Sequence, residues 1–447
     1  MSASISSAYG LAPDFSETWP APTSGPVNAD FDVPASKSLT NRYLIMAALG
    51  SRIVTIAHPL VARDTELMAH ALEELGVEIE RSDEAWTIIP APLHGGTIDC
   101  GLAGTVMRFI APVAALAAGA VQLDGDPAAR RRPMDAIVRA LTDLGVHIEA
   151  STDIAGQAVL PLTIHGSGSI AGGYVEIDAS SSSQFISALL MTGALMDSGL
   201  EIRHRGARLP SQPHIAMTID VLRQAGIEVQ EYADESGRVE RWVVSPNVPA
   251  LPDVTVEADT TNAGPFLAAA MVTGGTTRIH HWPEHTRQPG AKFIDLFERM
   301  GAHTQIHNGI LEIHGPQQLA PIDVDMSDFG ELVPTLAAVA AFAEGTSRLR
   351  NIGQLRGHET NRLAALVTEL DKIGISATEC GNDLVIHGGY PSRAAIFDTY
   401  DDHRMAMFGA ICALRLPGSR VRNIETTAKT FPTFAQMWRE GFGVDHG

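Results

Sequence analysis

Lysine is scarce in this 447-residue chain. Only Lys37, Lys292, Lys372 and Lys429 occur, so nearly all of the 32 basic residues are arginine. Arginine stays charged at any accessible pH, whereas a buried lysine can lose its proton. The four lysines are therefore candidates for a chemical role, with chance or codon bias toward arginine as the alternative explanation.

Cysteine is also rare. Cys100, Cys380 and Cys412 are odd in number and far apart, which excludes a disulfide framework and a cysteine-based metal site. We predict no metal and no cofactor. The same scarcity favours a reduced, cytoplasmic setting.

Positive charge is in deficit, with 52 acidic against 32 basic residues and a formal net charge of −20. Such a surface repels phosphate backbones, so we expect no nucleic-acid partner. The N-terminal stretch MSASISSAYGLAPDF lacks the basic and apolar parts of a signal peptide. We interpret the first 25 or so residues, rich in Ser and Pro, as a loose tail.

Long apolar runs are missing as well. The longest, residues 109–123, is too short to span a bilayer and contains Pro112. We predict a buried helix there and no membrane partner.

A repeat is present instead. An amphipathic helix that ends in glycine and leads into a short strand recurs along the chain. The glycines are spaced 69 to 81 residues apart and are expected to be left-handed caps: Gly76, Gly145, Gly226, Gly301 and Gly374. Residues 434–443 supply a sixth helix without a following strand.

A second helix, apolar on all sides, precedes each amphipathic one. These helices lie at residues 36–49, 103–116, 181–191, 260–271, 330–342 and 401–414. With the alternating strands between the helices, the unit is βαβαβ-like and occurs six times, which suits two domains of three units each. The helices begin with Ser, Thr, Asn or Gly near a Lys or Arg. Ordinary N-capping explains the hydroxyl groups, whereas an anion site also explains the cations.

The motifs identify the chain as similar to the EPSP synthase family of enolpyruvyl transferases. They are PASKSLTNR (34–42), AGTVMR (103–108), RRPM (131–134), SSSQF (181–185), HETNR (358–362), DDHRMAM (401–407) and AKTFP (428–432). The resemblance implies an α/β fold of two pseudo-symmetric domains. Each has three βαβαββ units around buried parallel helices, an inside-out α/β barrel. One domain is expected at residues 36–256 and the other at 1–35 and 257–447.

The resemblance also implies a reaction. The family transfers the enolpyruvyl group of phosphoenolpyruvate to the 5-hydroxyl of shikimate 3-phosphate by addition and elimination, and releases phosphate. This step belongs to the shikimate pathway to chorismate and the aromatic amino acids. The family needs no metal or cofactor, glyphosate competes with its phosphoenolpyruvate, and we expect a monomer.

The resemblance also implies site residues, each assigned from its position in a motif shared with the family. The residues expected to hold phosphoenolpyruvate are Lys37, Gly104, Arg132, Arg362, Arg404 and Lys429. The residues expected to hold shikimate 3-phosphate are Lys37, Ser38, Arg42, Ser182, Ser183, Gln184, Ser211, Glu331 and His358. Glu331 is expected to be the base on the 5-hydroxyl, and Glu359 and Lys37 to move protons at the methylene carbon. We assign His403 no catalytic role.

The chain departs from the commonest family pattern at six positions. Leu102, Phe109, His214, Glu331, Gln354 and His358 stand where Asn, Pro, Tyr, Asp, Asn and Lys are usual. We predict that His358 is charged beside the two anionic substrates, with a neutral hydrogen-bonding histidine as the alternative. These departures affect details of shikimate 3-phosphate binding and of glyphosate sensitivity.

Alternatives remain open at this point. The related enzyme that uses UDP-N-acetylglucosamine shares the fold and the donor, but usually carries a cysteine in the loop that here reads DGDPAARRRP. A non-catalytic α/β repeat scaffold is the second alternative. Arg108 either binds an anion or pairs with an acid, and residues 180–183 either bind an anion or form a flexible polar run.

Overall fold

The computed structural model describes residues 18–235 and 237–443 as a mixed α/β protein with six small sheets. In this described part no helix is both long and apolar enough to cross a membrane. The sheets contain parallel and antiparallel strands together.

Six helices are buried on nearly every side. They are α1 (Lys37–Ala48), α3 (Gly104–Ala115), α5 (Gln184–Gly193), α7 (Thr260–Thr273), α9 (Val333–Ala340) and α11 (His403–Ala413). Their small and aliphatic residues allow close helix contacts, and the six coincide with the predicted apolar helices.

Six amphipathic helices alternate with them along the chain. They are α2 (Arg63–Glu74), α4 (Asp135–Asp143), α6 (Gln212–Gln224), α8 (Phe293–Arg299), α10 (Arg362–Lys372) and α12 (Phe434–Phe442). The five predicted capping glycines all have positive φ, which confirms their role. Short 3₁₀ helices lie at Ala129–Arg131, Pro289–Lys292, Gly330–Leu332, Gly353–Gly357 and Ile424–Lys429.

Strands complete the repeat. In chain order they are β1 (Trp19–Pro20), β2 (Asn28–Phe31), β3 (Val54–Ala57), β4 (Glu78–Arg81), β5 (Ala85–Ile89), β6 (His94–Asp99), β7 (Ala118–Asp124), β8 (His147–Thr152), β9 (Ala158–Ser167), β10 (Gly173–Ile177), β11 (Leu200–His204), β12 (Val229–Ala233), β13 (Val239–Val244), β14 (Val254–Thr255), β15 (Thr276–Ile279), β16 (His303–His307), β17 (Ile310–His314), β18 (Asp323–Asp325), β19 (Gly345–Arg350), β20 (Ser376–Cys380), β21 (Asp383–Gly388), β22 (Ile396–Phe397) and β23 (Arg420–Val421). Five sheets have four strands and share one order: β14-β3-β5-β4, β6-β7-β9-β8, β10-β11-β13-β12, β2-β15-β17-β16 and β18-β19-β21-β20. The sixth is β1-β23-β22.

Two strands reach their sheets from distant parts of the chain. β14 pairs in parallel with β3, and β2 pairs in parallel with β15. The buried apolar residues form two clusters, one between Leu39 and Val256 and the other from Trp19, Val27, Phe31 and residues 263–442. The chain therefore passes between the two clusters at residues 32–38 and 257–262.

Two local predictions are wrong. The apolar run 109–123 is not one helix, because α3 ends at Ala115 and β7 begins at Ala118, with Gly119 at φ 119°. Residues 18–25 are not a loose tail: Trp19 is buried, β1 pairs with β23, and Ser24 N donates to Leu414 O. Residues 1–17 of the predicted tail lie outside the described residues.

Candidate active site

A polar cleft lies where helix N-termini from the two clusters meet. It lies at the N-termini of α1, α3 and α5 on one side and of α10 and α11 on the other. The residues lining it include Lys37, Asp64, Gly104, Thr105, Arg108, Arg132, Ser181, Ser182, Ser183, Gln184, Ser211, His214, Glu331, Gln354, His358, Glu359, Arg362, His403 and Arg404. The cleft is thus rich in arginine although the protein is strongly acidic.

The structure brings the sequence-predicted residues together. Twelve of the fifteen line this cleft. Ser38 and Arg42 line an adjoining recess that shares Lys37 and Glu331 with it. Lys429 lies at the edge, where its Nζ is 3.4 Å from Glu359 Oε2.

Two of the helices present N-termini to the cleft without a side-chain bond from the N-cap residue. α1, α7 and α11 are capped by the side chains of Ser36, Asp259 and Asp402. The N-cap residues of α3 and α5, Ala103 and Ser183, make no side-chain capping bond. At α5, however, Gln184 N donates to Ser182 Oγ at 3.3 Å. The first backbone N–H groups of α3 are therefore the less satisfied, which suits an anion.

Lys37 forms an ion pair that the sequence analysis did not predict. Its Nζ is 3.0 Å from Oδ2 of Asp64, which is buried in the first turn of α2. Burial lowers the Lys37 pKa, but the carboxylates of Asp64, Glu359 and Glu331 outweigh burial and raise it above the ordinary value. Lys37 is therefore protonated in the unliganded protein.

Glu359 lies between His403 and Lys429. His403 Nδ1 is 3.2 Å from Oε2 of Glu359, the same oxygen that faces Lys429 Nζ. Burial opposes ionisation, but His403, Lys429 and Arg362 hold the Glu359 pKa well below its usual range. Glu359 is therefore an ionised carboxylate, and His403 touches it directly.

Glu331 faces the cleft from the short helix that precedes α9. Arg404 Nη2 is 3.6 Å from its Oε2, and His214 Nε2 is 4.0 Å from its Oε1. Burial raises its pKa, but Arg404 and other cations, Arg362 and Lys37 among them, lower it far more. Burial lowers the pKa of His214 to about 4, so this histidine is neutral.

The arginines expected to hold phosphoenolpyruvate are fixed in different ways. Arg362 makes a fork with Asp402, with Nε to Oδ2 at 2.7 Å and Nη2 to Oδ1 at 3.1 Å. Arg132 donates from Nη1 to Leu102 O at 3.1 Å, and its buried Nε has no protein partner. A side chain on Gly104 would meet this guanidinium, with the Cβ 2.7 Å from Nη2 of Arg132. Glycine therefore lets a charged donor lie against the N-terminus of α3.

Arg108 bears on one open alternative, because it pairs with no acid in the described part of the chain. Its Nη1 donates to Gln184 Oε1 at 2.7 Å and reaches Ser182 Oγ at 3.4 Å, while its buried Nε has no partner. The guanidinium lies over the ring of Phe185. Burial and the nearby charge of Arg132 lower its pKa well below the ordinary value. A buried cation without a carboxylate is costly unless a ligand supplies the negative charge.

Arg42, in the adjoining recess, is a second buried arginine held by neutral groups. It is almost fully buried and donates to Thr218 Oγ1 at 2.7 Å, Ser38 O at 2.8 Å and His214 O at 3.0 Å. Burial lowers its pKa to about 9. These acceptors are neutral oxygens, which fix the orientation of the guanidinium without neutralising its charge.

The protein groups around His358 favour the neutral, hydrogen-bonding alternative, and its charge beside the two anionic substrates stays a prediction. Arg362 Nη1 donates to His358 Nδ1 at 3.4 Å, a contact that requires an unprotonated Nδ1. Burial and the charge of Arg362 lower the His358 pKa to about 3. The sequence analysis considered the anionic neighbours and missed the arginine one helical turn away.

Sequence reasoning missed three cleft groups. Asp64 resembled an ordinary acidic residue in the first turn of a helix, and Asp402 resembled an ordinary N-cap. The sequence analysis assigned His403 no catalytic role. Asp402 and His403 lie within the motif DDHRMAM (401–407), which was the available signal for them, whereas Asp64 lies outside the motifs and its partner Lys37 comes from another helix.

Comparisons with known proteins agree with this geometry. The sequence profile of EPSP synthase (3-phosphoshikimate 1-carboxyvinyltransferase) matches residues 22–438. A 3-phosphoshikimate 1-carboxyvinyltransferase of Kocuria rhizophila is 47% identical over 458 residues, which covers 98% of this chain and 99% of the relative.

Two solved structures have the same fold. The EPSP synthase of Acinetobacter baumannii is 23% identical with a TM-score of 0.74, covering 95% of this chain and 97% of its own. The enolpyruvyl transferase NikO of Streptomyces tendae is 18% identical with a TM-score of 0.73, covering 94% and 96%. From the profile and the close relative, the chain belongs to the EPSP synthase family.

Proposed function

We propose that this protein transfers the enolpyruvyl group of phosphoenolpyruvate to the 5-hydroxyl of shikimate 3-phosphate and releases phosphate. The observation that carries this proposal is a cleft in which arginines without full charge compensation surround ionised glutamates. Each substrate carries a carboxylate and a phosphate, the two groups that guanidinium forks bind best. Arg108 and Arg42 can each take up such negative charge, because no carboxylate of the residues that the structure describes is bonded to either.

The two substrates divide the cleft. Phosphoenolpyruvate binds among Lys37, Gly104, Arg132, Arg362, Arg404 and Lys429. Shikimate 3-phosphate binds among Lys37, Ser38, Arg42, Ser182, Ser183, Gln184, Ser211, Glu331 and His358. Arg108 joins the second group through its contacts with Ser182 and Gln184.

The charge states suggest a division of the proton transfers. In the addition step, the 5-hydroxyl oxygen bonds to C2 of phosphoenolpyruvate, Glu331 accepts the hydroxyl proton, and Lys37 donates a proton to the methylene carbon. In the elimination step, the C2–O bond to phosphate breaks and Glu359 removes a proton from the methyl group. Glu359 returns its proton to Lys37, whose pKa is higher, and Glu331 gives its proton to the leaving phosphate.

The architecture follows the family's two-domain plan. One domain comprises residues 36–256 and the other residues 1–35 and 257–447, each an inside-out barrel of three units. The two separate apolar clusters and the two exchanged strands support these boundaries. Contacts such as Ser211 N to Ser327 O and Arg208 Nη1 to Asp325 Oδ2 join the two parts beside the cleft. We propose a cytoplasmic monomer.

The test is phosphate release from phosphoenolpyruvate by the purified protein with each acceptor separately. Shikimate 3-phosphate should support release, and UDP-N-acetylglucosamine should not. EDTA should leave the rate unchanged. Release that depends on UDP-N-acetylglucosamine would overturn the proposal, and no release with either acceptor would favour a scaffold.

A further inference from the structure

Two histidines and a glutamate meet on an exposed sheet surface outside the cleft. His147 of β8 lies directly opposite His165 of β9, and Glu149 follows two residues after His147. Side chains two apart on a strand, and those directly opposite on neighbouring strands, point to the same face. All three side chains therefore project from one face of the β6-β7-β9-β8 sheet.

The ligand atoms lie close together, and the two imidazole rings are stacked with their centroids 4.8 Å apart, so chelation requires the rings to rotate. His165 Nε2 is 3.1 Å and His147 Nε2 is 3.7 Å from the same oxygen, Oε1 of Glu149. The three ligand atoms all lie within 4.8 Å of one another. Tetrahedral zinc with bonds of about 2.0–2.1 Å requires ligand atoms about 3.3 Å apart. The observed spacing fits this requirement with small side-chain rotations.

The surroundings leave the site accessible. Ala120 of β7 is the residue opposite His165 on the other side, and its small side chain is exposed. Among residues 18–235 and 237–443, the Glu149 carboxylate contacts the two histidines alone. No arginine or lysine among those contacts competes with a cation for this carboxylate.

An equivalent histidine pair elsewhere in the fold provides a comparison. His303 begins β16 and lies opposite His314 of β17, just as His147 begins β8 and lies opposite His165. There, however, the nearby Glu312 is bonded by Arg278 as well as by Gln305 and His314. In the described part of the chain, three ligand atoms converge only at His147–Glu149–His165 and at Glu359–Asp402–His403 in the cleft.

We propose that His147, Glu149 and His165 bind a divalent transition-metal ion, for which zinc is the probe. Two imidazoles and one carboxylate are a donor set suited to zinc, and water would complete the coordination. The site is independent of the proposed enzymatic reaction. It would hold β8 to β9 and stabilise the folded protein by mass action.

Isothermal titration of the full chain with zinc chloride tests the site. Wild type should bind one zinc ion whose affinity falls at least about 10-fold in His165→Ala, since one of three ligands is lost. Glu149→Gln should weaken binding too. His314→Ala is the matched control, because it removes a paired histidine at the equivalent position, and it should bind zinc like wild type.

Thermal unfolding supplies a second readout. Zinc should raise the midpoint temperature of unfolding of wild type and of His314→Ala but not that of His165→Ala. Equal zinc affinity in wild type and in a His147→Ala/His165→Ala double variant would overturn the proposal. Loss of zinc binding in Glu359→Gln but not in His165→Ala would also overturn it, by placing the ion in the cleft.

Discussion

Lys37 Nζ lies 3.0 Å from Asp64 Oδ2, and this pair joins the first residue of α1 to the first turn of α2 at the wall of the cleft. The pair keeps a partly buried lysine protonated. It also leaves one cationic group where the two proposed substrates meet.

Asp64→Asn should shift the alkaline limb of activity to lower pH. Asp64 is the largest of the charges that raise the Lys37 pKa, and an opposite charge at this distance shifts a pKa by about 1–3 units. Without it, Lys37 loses its proton at lower pH and stops acting as a donor. The measurement is kcat/KM for phosphoenolpyruvate from pH 7 to 11. Asp135→Asn, which breaks a surface pair with Arg139, is the control. An unmoved limb would show that Lys37 does not govern it.

Glu359→Gln should lower kcat by a factor of at least about 100, the lower end for lost general acid–base catalysis. The amide keeps the shape but cannot take a proton from the methyl group. Saturating steady-state kinetics measure the effect. Glu379→Gln removes a surface glutamate paired with Arg356 and should leave kcat unchanged. Near-normal turnover in Glu359→Gln would show that neither proton transfer by this carboxylate nor its negative charge is needed for turnover.

Arg108→Met should raise KM for shikimate 3-phosphate at least about 10-fold while kcat changes less, as expected for an anchor. Methionine preserves apolar contact with Phe185 but removes the charge. Because the buried cation has no carboxylate partner, the unliganded variant should be no less stable than wild type.

The matched control is Arg241→Met, whose guanidinium also lies over an aromatic ring, that of Tyr232, on the surface. It should leave KM unchanged. Loss of unfolding free energy in Arg108→Met without a change in KM would mean that Arg108 is structural.

Gly104→Ala should raise KM for phosphoenolpyruvate and weaken glyphosate inhibition together. The added methyl group would lie 2.7 Å from Nη2 of Arg132, so the guanidinium must move, and both ligands are expected to need it. Inhibition and substrate kinetics on one preparation measure both effects. Gly357→Ala also lies at the cleft, but its Cβ meets nothing within 4 Å, so it serves as the control. A selective loss of inhibition would show that Arg132 adjusts around the methyl group.

Acid should destabilise the protein partly through His358. Its folded-state pKa of about 3 lies below the unfolded value of about 6.5. Between these values the unfolded chain binds more protons, so the free energy of unfolding falls as pH drops from about 6.5 toward 3. Urea unfolding between pH 4.5 and 8 should show a shallower loss in His358→Gln than in wild type. His281→Gln, at an exposed position, is the control.

A neutral His358 also leads to a prediction about how the KM for shikimate 3-phosphate depends on pH. KM for shikimate 3-phosphate should follow parallel pH profiles from pH 6 to 9 in wild type and His358→Lys. A steeper alkaline rise in wild type would show that the substrate charges this histidine.

The sequence by itself determined the repeat and most of the cleft. Glycines after amphipathic helices set the helix ends, since only glycine adopts the left-handed cap without strain. Uniformly apolar helices had to be buried, and polar residues at their starts had to meet wherever those ends converged. The motifs then indicated the family, and twelve of the site residues inferred from that resemblance line the cleft.

Tertiary structure decided everything that depends on partners distant in sequence. Asp64 pairs with Lys37, Arg108 is bonded to Gln184 and, among the described residues, to no acid, and His358 receives a hydrogen bond from Arg362. The sequence likewise did not reveal the helix–strand boundary within residues 109–123, because apolar composition alone does not distinguish a buried helix from a buried strand. It also did not reveal that Trp19 is buried. Charge states in a buried cleft follow from desolvation and from neighbouring charges in three dimensions, and a linear sequence contains neither.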